Sequence, residues 1–262
     1  MSHLTVSFDD GLATIVLDRP PQNRIDDQMV DELAAAVTAI ERSDARAVLV
    51  RSEGENFSFG GDIMTWPDAS VRELRARFAH YLSVFNRFEH LPLPVVAAVQ
   101  GLCFGGGLEL ALRADVIFAA ESATFGHPEQ TLGIVTVLGG IYRVAERAGR
   151  SRASEWALTS EKVPAATMER FGLVNRVVAD ADLLKESADF ARKVARGPTR
   201  AYAAHKALLR AWAVGGVAAA DEAMFDIAMP LFDTDDARRG IRSAVDALNA
   251  GRPRPAMDFN GH

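Results

Sequence analysis

Three consecutive glycines stand directly before an apolar helical segment that carries a glutamate, in the stretch FGGGLELALRAD from Phe104 to Asp115. A run of glycines is costly in chain entropy, and a carboxylate among leucines is costly in solvation. Glycines in such a turn expose backbone N–H groups and let a ligand approach the main chain closely. The stretch therefore predicts a tight turn into a buried helix in which both the amides and Glu109 have a function.

Nucleotide-binding loops are the first alternative for glycines before a helix, and the spacing does not match them. After Gly105 and Gly107, the third position of a GxGxxG pattern is Leu110, and no GK[ST] of a phosphate-binding loop occurs in the chain. A nucleophile elbow, GxSxG, is nearly matched around Ser58, but its first glycine is replaced by Asn56. A serine hydrolase that uses Ser58 stays open as an alternative function.

A second glycine turn, FSFGGD at 57–62, resembles the first in its chemistry. Two N–H donors from separate turns that point at one spot form an oxyanion hole, in which the loss of one donor costs about 3 kcal/mol of barrier. Each turn alone is equally well explained as a tight turn. Their joint presence favours a site that stabilises a negative oxygen.

Two glutamates are candidates for proton transfer. Glu109 lies in the first turn of the apolar helix, where the helix N-terminus favours its anion and burial favours its neutral form. A structural pair with Arg113 is the alternative. Glu129 follows Pro128, which by itself is an ordinary helix start with a solvated acid. If the intervening strand folds back, the two carboxyls meet and can divide acid and base roles.

The order of hydrophobic patterns predicts an α/β fold with one main domain and an appendage. A β-hairpin opens the chain, and strands then alternate with crossover helices, which implies a mostly parallel core. From about Ser151 the chain is mostly helical, and its last helices carry much apolar surface that must cover something, such as a neighbouring subunit. We place the core at 1–198 and a helical oligomerisation region at 199–262. The main expected elements are strands in 4–18, 47–53, 95–101, 115–119 and 172–178, and helices from Asp26 or Asp27, over 71–90 and over 107–113.

Charge and cysteine content exclude several classes of function. The net charge is −6, and Lys and Arg are scattered, which argues against nucleic acid or an anionic membrane as partner. Cys103 is the only cysteine and the histidines show no ligand spacing, so we expect neither disulfides nor a metal. The first residues lack a charged head followed by a continuous apolar run, so a cytoplasmic location is the expectation.

These motifs together resemble the enoyl-CoA hydratase/isomerase (crotonase) superfamily, and most closely its enoyl-CoA hydratases. The resemblance spans nearly the whole chain and is most specific in FSFGGDI at 57–63, GLCFGGGLELALRADVIFA at 101–119 and ATFGHPEQTLGI at 123–134. It implies a crotonase (ClpP-like) spiral of strand-strand-helix units. It also implies a C-terminal helical region that packs in a homotrimer, often paired into a hexamer as a dimer of trimers.

The resemblance implies a role for each glycine turn and each glutamate. The amides of Gly61 and Gly106 would bind the thioester oxygen of an acyl-CoA. Glu109 would activate water for attack on the β-carbon, and Glu129 would deliver a proton to the α-carbon. No cofactor is expected, because the thioester itself acidifies the α-carbon and CoA is part of the substrate.

The acyl-CoA contacts implied by the resemblance include some departures from the family pattern. Thr136 and Val137 replace a Pro and a Gly that are common in a loop near the reacting carbons, and Arg24 stands where a small residue is common. A double-bond isomerase, a hydratase for dienoyl or aromatic acyl groups, and a non-catalytic acyl-CoA-binding or RNA-binding paralogue stay open. The expected substrate contacts are Arg24, Phe59, Asp62, Ile63, Met64, Gly105, Thr136, Val137 and Lys206.

Overall fold

The main sheet has six strands in the order β1-β2-β3-β4-β6-β9, in a computed structural model that describes residues 2–261. Strands β1 and β2 form the antiparallel hairpin expected from the Asp-Gly turn, and every later pair in this sheet is parallel. The mostly parallel core predicted from the sequence is therefore confirmed. The strands are β1 (Leu4–Asp9), β2 (Leu12–Leu17), β3 (Ala47–Ser52), β4 (Val95–Val99), β6 (Val116–Ala120) and β9 (Arg176–Val178).

A second sheet, with the order β5-β7-β8, places the candidate site. It contains β5 (Leu102–Phe104), β7 (Thr124–Gly126) and β8 (Val163–Pro164). Strands β5 and β7 are parallel, and beyond their ends the Gly105 N–H donates to the Gly126 carbonyl at 3.0 Å. Since parallel strands end at the same edge of a sheet, the glycine turn after β5 and the segment of Glu129 after β7 leave the sheet side by side.

Helices pack against the main sheet, and their ends follow from local sequence. Ser70 and Glu73 form a capping box at the start of α2, which ends before the Leu91-Pro-Leu-Pro94 segment. Asp26 caps α1 by accepting a hydrogen bond from the Met29 amide. Up to residue 198 the helices are α1 (Asp27–Glu41), α2 (Val71–Glu89), α3 (Gly106–Ala111), α4 (Gly140–Ala148), α5 (Arg150–Thr159), α6 (Ala165–Arg170) and α7 (Leu183–Ala195).

The C-terminal region contains α8 (Thr199–Ala228) and α9 (Asp235–Asn249). Non-helical backbone at Gly215 and Gly216 divides α8, and none of its side chains is fully buried. Large apolar side chains such as Trp212 and Phe225 are exposed. A C-terminal helical region is thus confirmed, while the domain boundary at 198 stays a prediction and His262 lies outside the described residues.

Within residues 2–261, no helix is both long enough and apolar enough to cross a membrane. The same residues contain no group of three or more His, Cys, Asp or Glu side chains placed to hold a metal ion. The expectations on partners, cofactors and location stay predictions.

Candidate active site

Each of the three glycines after β5 lies close to another part of the site, so the geometry differs at each position. Gly105 has a φ of +50°, and a Cβ there would lie 2.9 Å from Oε1 of Glu129. A Cβ on Gly107 would lie 2.6 Å from the Cβ of Ser58, closer than side chains pack. Between them, a Cβ on Gly106 would point toward the Gly61 amide, at 3.5 Å. The triple glycine therefore lets α3 start in close contact with the second turn while its amide side stays open.

The second turn, at Gly60 and Gly61, is fixed by backbone and hydroxyl hydrogen bonds. The Ile25 amide donates to the Gly60 carbonyl at 2.9 Å, and the Gly60 amide donates to Oγ of Ser58 at 3.2 Å. In the part of the chain that the structure describes, neither the Gly61 nor the Gly106 amide donates a hydrogen bond. Two neighbouring free donors are the chemical requirement for holding a negative oxygen.

Both free amides and both candidate glutamates line one cavity of about 230 Å³. Apart from Arg24 and the two glutamates, its wall is mostly apolar. Such a cavity, with few convergent polar groups, is typical of a small-molecule site. Its lining residues are Arg24, Ile25, Phe59, Gly60, Gly61, Ile63, Trp66, Phe78, Tyr81, Gly105, Gly106, Glu109, Pro128, Glu129, Thr131, Leu132, Ile134, Val135, Val137 and Leu138.

The carboxylate of Glu109 is held by the start of α4. Its Oε1 accepts hydrogen bonds from the amides of Leu138 at 2.8 Å and Gly140 at 2.9 Å. Only 2% of the residue is exposed. Burial raises the pKa of Glu109 above its usual value, and the two amides oppose that rise. A buried carboxyl with a raised pKa and a fixed orientation is suited to proton transfer.

Arg113 makes no hydrogen bond or salt bridge with Glu109 among the described residues, so the direct pair that was the alternative for that glutamate does not form. Its guanidinium instead donates to Glu89 at 2.7 Å and to the Leu138 carbonyl at 2.6 Å. Arg143 donates to the same Glu89 carboxylate at 2.6 Å. Although burial raises the pKa of Glu89, the two guanidinium groups hold it below its usual range. This buried ion cluster fixes the residue whose amide binds Glu109.

Glu129 has a different environment, at the start of the 3-10 helix Pro128–Leu132. Burial, assisted by the charge of Glu109, raises its pKa from 4.5 to about 7. Its Oε2 has no hydrogen-bond partner among the described residues. The nearest base is Nδ1 of His127, at 3.9 Å, which is beyond hydrogen-bonding distance. Near neutral pH this carboxyl can therefore both give and take a proton.

Five of the nine expected substrate contacts line the cavity, one of them the turn glycine Gly105, and four do not. Asp62 binds Arg19 at 2.6 Å, and Met64 is 73% exposed outside the lining. The Thr136 hydroxyl accepts from the Ile141 amide at the start of α4, at 3.3 Å. Lys206 donates to Asp115 at 2.7 Å and to a backbone carbonyl, so its charge is already paired. The lining contacts are Arg24, Phe59, Ile63 and Val137.

Three aromatic residues line the cavity: Trp66, from a loop expected beside the CoA portion, and Phe78 and Tyr81, which were expected in the core. The Trp66 ring packs edge-on to Phe78, with 5.1 Å between ring centroids, and a Cβ on Gly61 would meet the indole at 3.0 Å. Phe78 and Tyr81 lie on one face of α2 at helical spacing. Their spacing predicts a core face and carries no sign that this face borders a cavity.

Ser58, the candidate nucleophile of a hydrolase, is fully buried. Its hydroxyl donates to the Asn23 carbonyl at 2.7 Å and accepts from the Gly60 amide. A serine with this environment supports the turn and is not presented to a substrate, so the hydrolase alternative loses its nucleophile.

Comparisons with known proteins agree with this geometry. The model of the family described as enoyl-CoA hydratase/isomerase matches residues 7–249. The chain is 34% identical to a probable enoyl-CoA hydratase of Mycobacterium bovis over 70% of this chain and 72% of that protein. It is 35% identical to one of Rhodobacter capsulatus over 79% and 81%. A crystal structure of an enoyl-CoA hydratase from Geobacillus kaustophilus superposes with a TM-score of 0.91 at 28% identity, over 100% of this chain and 98% of that one.

Proposed function

Because the chain belongs to the enoyl-CoA hydratase/isomerase family, we propose that it adds water across the double bond of a trans-2-enoyl-CoA thioester. The product is a 3-hydroxyacyl-CoA. The family assignment supports hydratase chemistry in general, and the residues of the cavity support the specific reaction. The observation that carries the proposal is the presence of two free amides, the buried carboxyl of Glu109 and the half-buried carboxyl of Glu129 around one cavity.

In the proposed reaction, the thioester oxygen accepts hydrogen bonds from the amides of Gly61 and Gly106. Attack of water on the β-carbon moves charge onto this oxygen as an enolate forms. Donors that already point at the oxygen stabilise the enolate without reorganisation, and each contributes about 3 kcal/mol. The free amides support this role.

Glu109 acts as the base that takes a proton from the attacking water, and Glu129 then protonates the α-carbon. Two amide donors to Oε1 favour the anion of Glu109, which a base requires. A pKa of about 7 keeps a large fraction of Glu129 protonated at neutral pH, which an acid requires. After hydration Glu109 carries the proton lost by water and Glu129 lacks the proton given to carbon, so a proton passes from Glu109 to Glu129 through solvent water before the next turnover.

The CoA portion is proposed to leave the cavity past Arg24. Its guanidinium lies 5.9 Å from the centre of the Phe59 ring and is oriented by Gln22, which accepts from Nε at 2.7 Å. A phosphate of CoA is a suitable partner for this cation. Lys206 is a weaker candidate in one subunit, because Asp115 already neutralises it.

A double-bond isomerase is the second candidate. Isomerisation needs the same oxyanion hole but only one carboxyl to move a proton between carbons, so the clamped Glu109 would have no function. A hydratase specialised for dienoyl or aromatic acyl groups is favoured by the aromatic wall of Trp66, Phe78 and Tyr81. A non-catalytic acyl-CoA-binding protein would leave both carboxyls without a purpose.

A panel of CoA esters tests these candidates together. The panel contains linear trans-2-enoyl-CoA esters of increasing length, a dienoyl ester, an aromatic ester and a trans-3-enoyl-CoA. Loss of the conjugated thioester absorbance with formation of the 3-hydroxy product supports hydration. Conversion of the trans-3 ester without a hydroxylated product would assign isomerisation, and binding without turnover of any ester would overturn an enzymatic function.

We also propose that the C-terminal region assembles the protein into a trimer or hexamer. The exposed apolar side chains of α8 and α9 support this, since a monomer rarely leaves so many in one region. Sedimentation equilibrium should give three or six times the monomer mass. Phe225→Glu, in the middle of this surface, should lower that mass, whereas a monomeric wild-type protein would contradict the proposal.

A further inference from the structure

His127 is a buried imidazole without a partner, directly beside the candidate acid. It is 3% exposed, and neither Nδ1 nor Nε2 makes a hydrogen bond to any residue that the structure describes. Buried polar groups without a partner are rare, because each costs about 1 to 3 kcal/mol. A residue retained in this state at the edge of a site is a candidate for a function that needs a ligand.

The imidazole lies beside Glu129 and packs on a residue that binds Glu109. On one side, its Nδ1 is 3.9 Å from Oε2 of Glu129, the oxygen that also lacks a partner. On the other side, a Cβ on Gly140 would lie 2.5 Å from Cε1 of the ring, so the ring packs on the residue whose amide binds Glu109. Only a glycine at 140 leaves room for it.

Burial decides the charge of this imidazole. It lowers the pKa of His127 from 6.5 to about 4, so the ring is neutral at physiological pH and carries one N–H and one free nitrogen. A neutral donor can stabilise a carboxylate without adding a charge that would hold the carboxylate permanently ionised. That property suits a carboxyl that must change its protonation state in every turnover.

We propose that His127 is a positioning residue for Glu129, to whose carboxylate the neutral ring donates its Nδ1–H when acyl-CoA is bound. A movement of about 1 Å brings the two atoms to hydrogen-bonding distance. The histidine keeps its proton throughout, and the hydrogen bond stabilises the anion that Glu129 becomes after it has protonated the α-carbon. This proposal rests on the proposed function for its consequence in turnover, but not for the contact itself.

Other charged groups near this pair do not replace the histidine. Glu109, from α3, is the only charge among the described residues that shifts the pKa of Glu129, and it raises it. The cations on the neighbouring elements have other partners: Arg143 on α4 binds Glu89, Arg152 on α5 binds Glu155, Lys162 before β8 lies over the Phe104 ring, and Arg24 binds Gln22.

Two variants separate the hydrogen bond from the shape of the ring. His127→Phe keeps a ring and removes the donor, and His127→Gln removes the ring and keeps a neutral donor. In hydration, His127→Phe should lower kcat about tenfold at nearly unchanged KM, and should move the alkaline limb of the pH profile up by about one pH unit. His127→Gln should stay close to wild type in both. An unchanged limb in His127→Phe would overturn the proposal.

A titration of Glu129 decides the question without turnover. With saturated butyryl-CoA bound, infrared difference spectra give the protonated carboxyl band that Glu129→Gln removes, and its midpoint should lie higher in His127→Phe than in wild type. Equal midpoints would refute the role of His127, whatever the panel of esters shows. If the variants do not fold, nitrogen-15 NMR of wild-type histidine in the same complex should find Nδ1 protonated; an unprotonated Nδ1 would refute the proposal.

Discussion

Two walls of the cavity each carry a glutamate, and the two glutamates have different surroundings. At the wall of α3 and α4, Glu109 accepts two backbone hydrogen bonds, and the ion cluster of Glu89, Arg113 and Arg143 fixes the segment that donates them. At the wall of the 3-10 helix Pro128–Leu132, Glu129 has an oxygen without a partner. Hydrogen bonds fix the orientation of the Glu109 carboxyl, whereas Oε2 of Glu129 is free to accept a hydrogen bond from a new partner.

The difference bears on the proposed division of roles, in which Glu109 is the base and Glu129 the acid. Burial raises the pKa of both carboxyls, so burial alone cannot divide the roles. Hydrogen-bond donors differ between them, since Glu109 accepts from two amides of a separate segment, whereas only the backbone N–H of Glu129 itself stabilises the charge of Glu129. The same two acids with exchanged surroundings would exchange their roles.

The largest effect is expected from Glu109→Gln and Glu129→Gln, which should each lower hydration by about 10² to 10⁴-fold. A second measurement should distinguish the two variants. It follows by proton NMR the exchange of the α-protons of butyryl-CoA with heavy water. This exchange needs a base only at the α-carbon, so Glu109→Gln should retain it and Glu129→Gln should lose it.

The exposed Glu121→Gln serves as the control and should behave as wild type in both assays. Loss of exchange in Glu109→Gln, with retention in Glu129→Gln, would reverse the assignment of acid and base. Near-normal hydration by either cavity variant would remove that residue from the mechanism.

Arg113→Met should cause the next largest effect, a loss of about 3 to 5 kcal/mol in the free energy of unfolding, because it leaves a buried cluster without its central cation. The matched control is Arg87→Met, which breaks an exposed pair with Glu41 and should cost less than about 1 kcal/mol. Urea denaturation of the two variants gives the difference. Equal losses would show that the cluster does not hold the wall of Glu109.

Stability at high pH should distinguish the two carboxyls more finely. Between pH 4.5 and about 7 the folded protein binds a proton at Glu129 more tightly than the unfolded chain does, so this residue lowers stability as pH rises. Glu129→Gln should therefore gain on the order of 2 to 3 kcal/mol at pH 8, and no gain below pH 4.5.

The gain from Glu109→Gln should be smaller, because its two amide donors offset part of the cost of ionisation. Urea midpoints at pH 8 and pH 4 test both variants. A larger gain for Glu109→Gln than for Glu129→Gln would contradict the described difference between the walls.

The smallest effect is expected at Ser58, whose hydroxyl supports the turn of Gly60 and Gly61. Ser58→Ala removes a hydroxyl that fixes the turn of Gly60 and Gly61, and should cost about 1 to 2 kcal/mol of stability with less than tenfold loss of hydration. A fluorophosphonate probe should not label the wild-type protein at this buried serine. Labelling at Ser58 would restore the hydrolase alternative.

The sequence predicted the backbone of the site better than its side-chain partners. Glycine spacing and apolar runs depend on local geometry, so the hairpin, the parallel core and the apposition of Gly61 with Gly106 followed from the motifs and the family they indicate. The partner of Arg113 could not be predicted, because Glu89 and Leu138 reach it through the packing of three separate elements.

Lys206 and His127 are two further cases in which the partners of a side chain could not be predicted from the sequence. Lys206 has an unexpected partner, and His127 has none among the described residues. Lys206 was expected to contact the substrate, but Asp115, far away in sequence, neutralises its charge. The sequence left His127 open between a residue that orients a carboxyl and a structural or exposed residue, and its burial without a partner is the observation that supports the first. The contribution of Phe78 and Tyr81 to the cavity could not be predicted, because core faces and cavity faces of a helix have the same hydrophobic pattern.

The hydrogen bond from the Gly105 amide to the Gly126 carbonyl joins the two segments that carry the acids. The hydrogen bonds between β5 and β7 thus set the distance between the backbone segments that carry Glu109 and Glu129. The side chains that line the cavity do not set it. In the proposed function, side chains of the cavity wall such as Val135 shape the space for the acyl group, and their exchange would leave this backbone ladder in place. Under the proposed function, the selectivity for the acyl group can therefore change while the backbone that spaces the two glutamates stays the same.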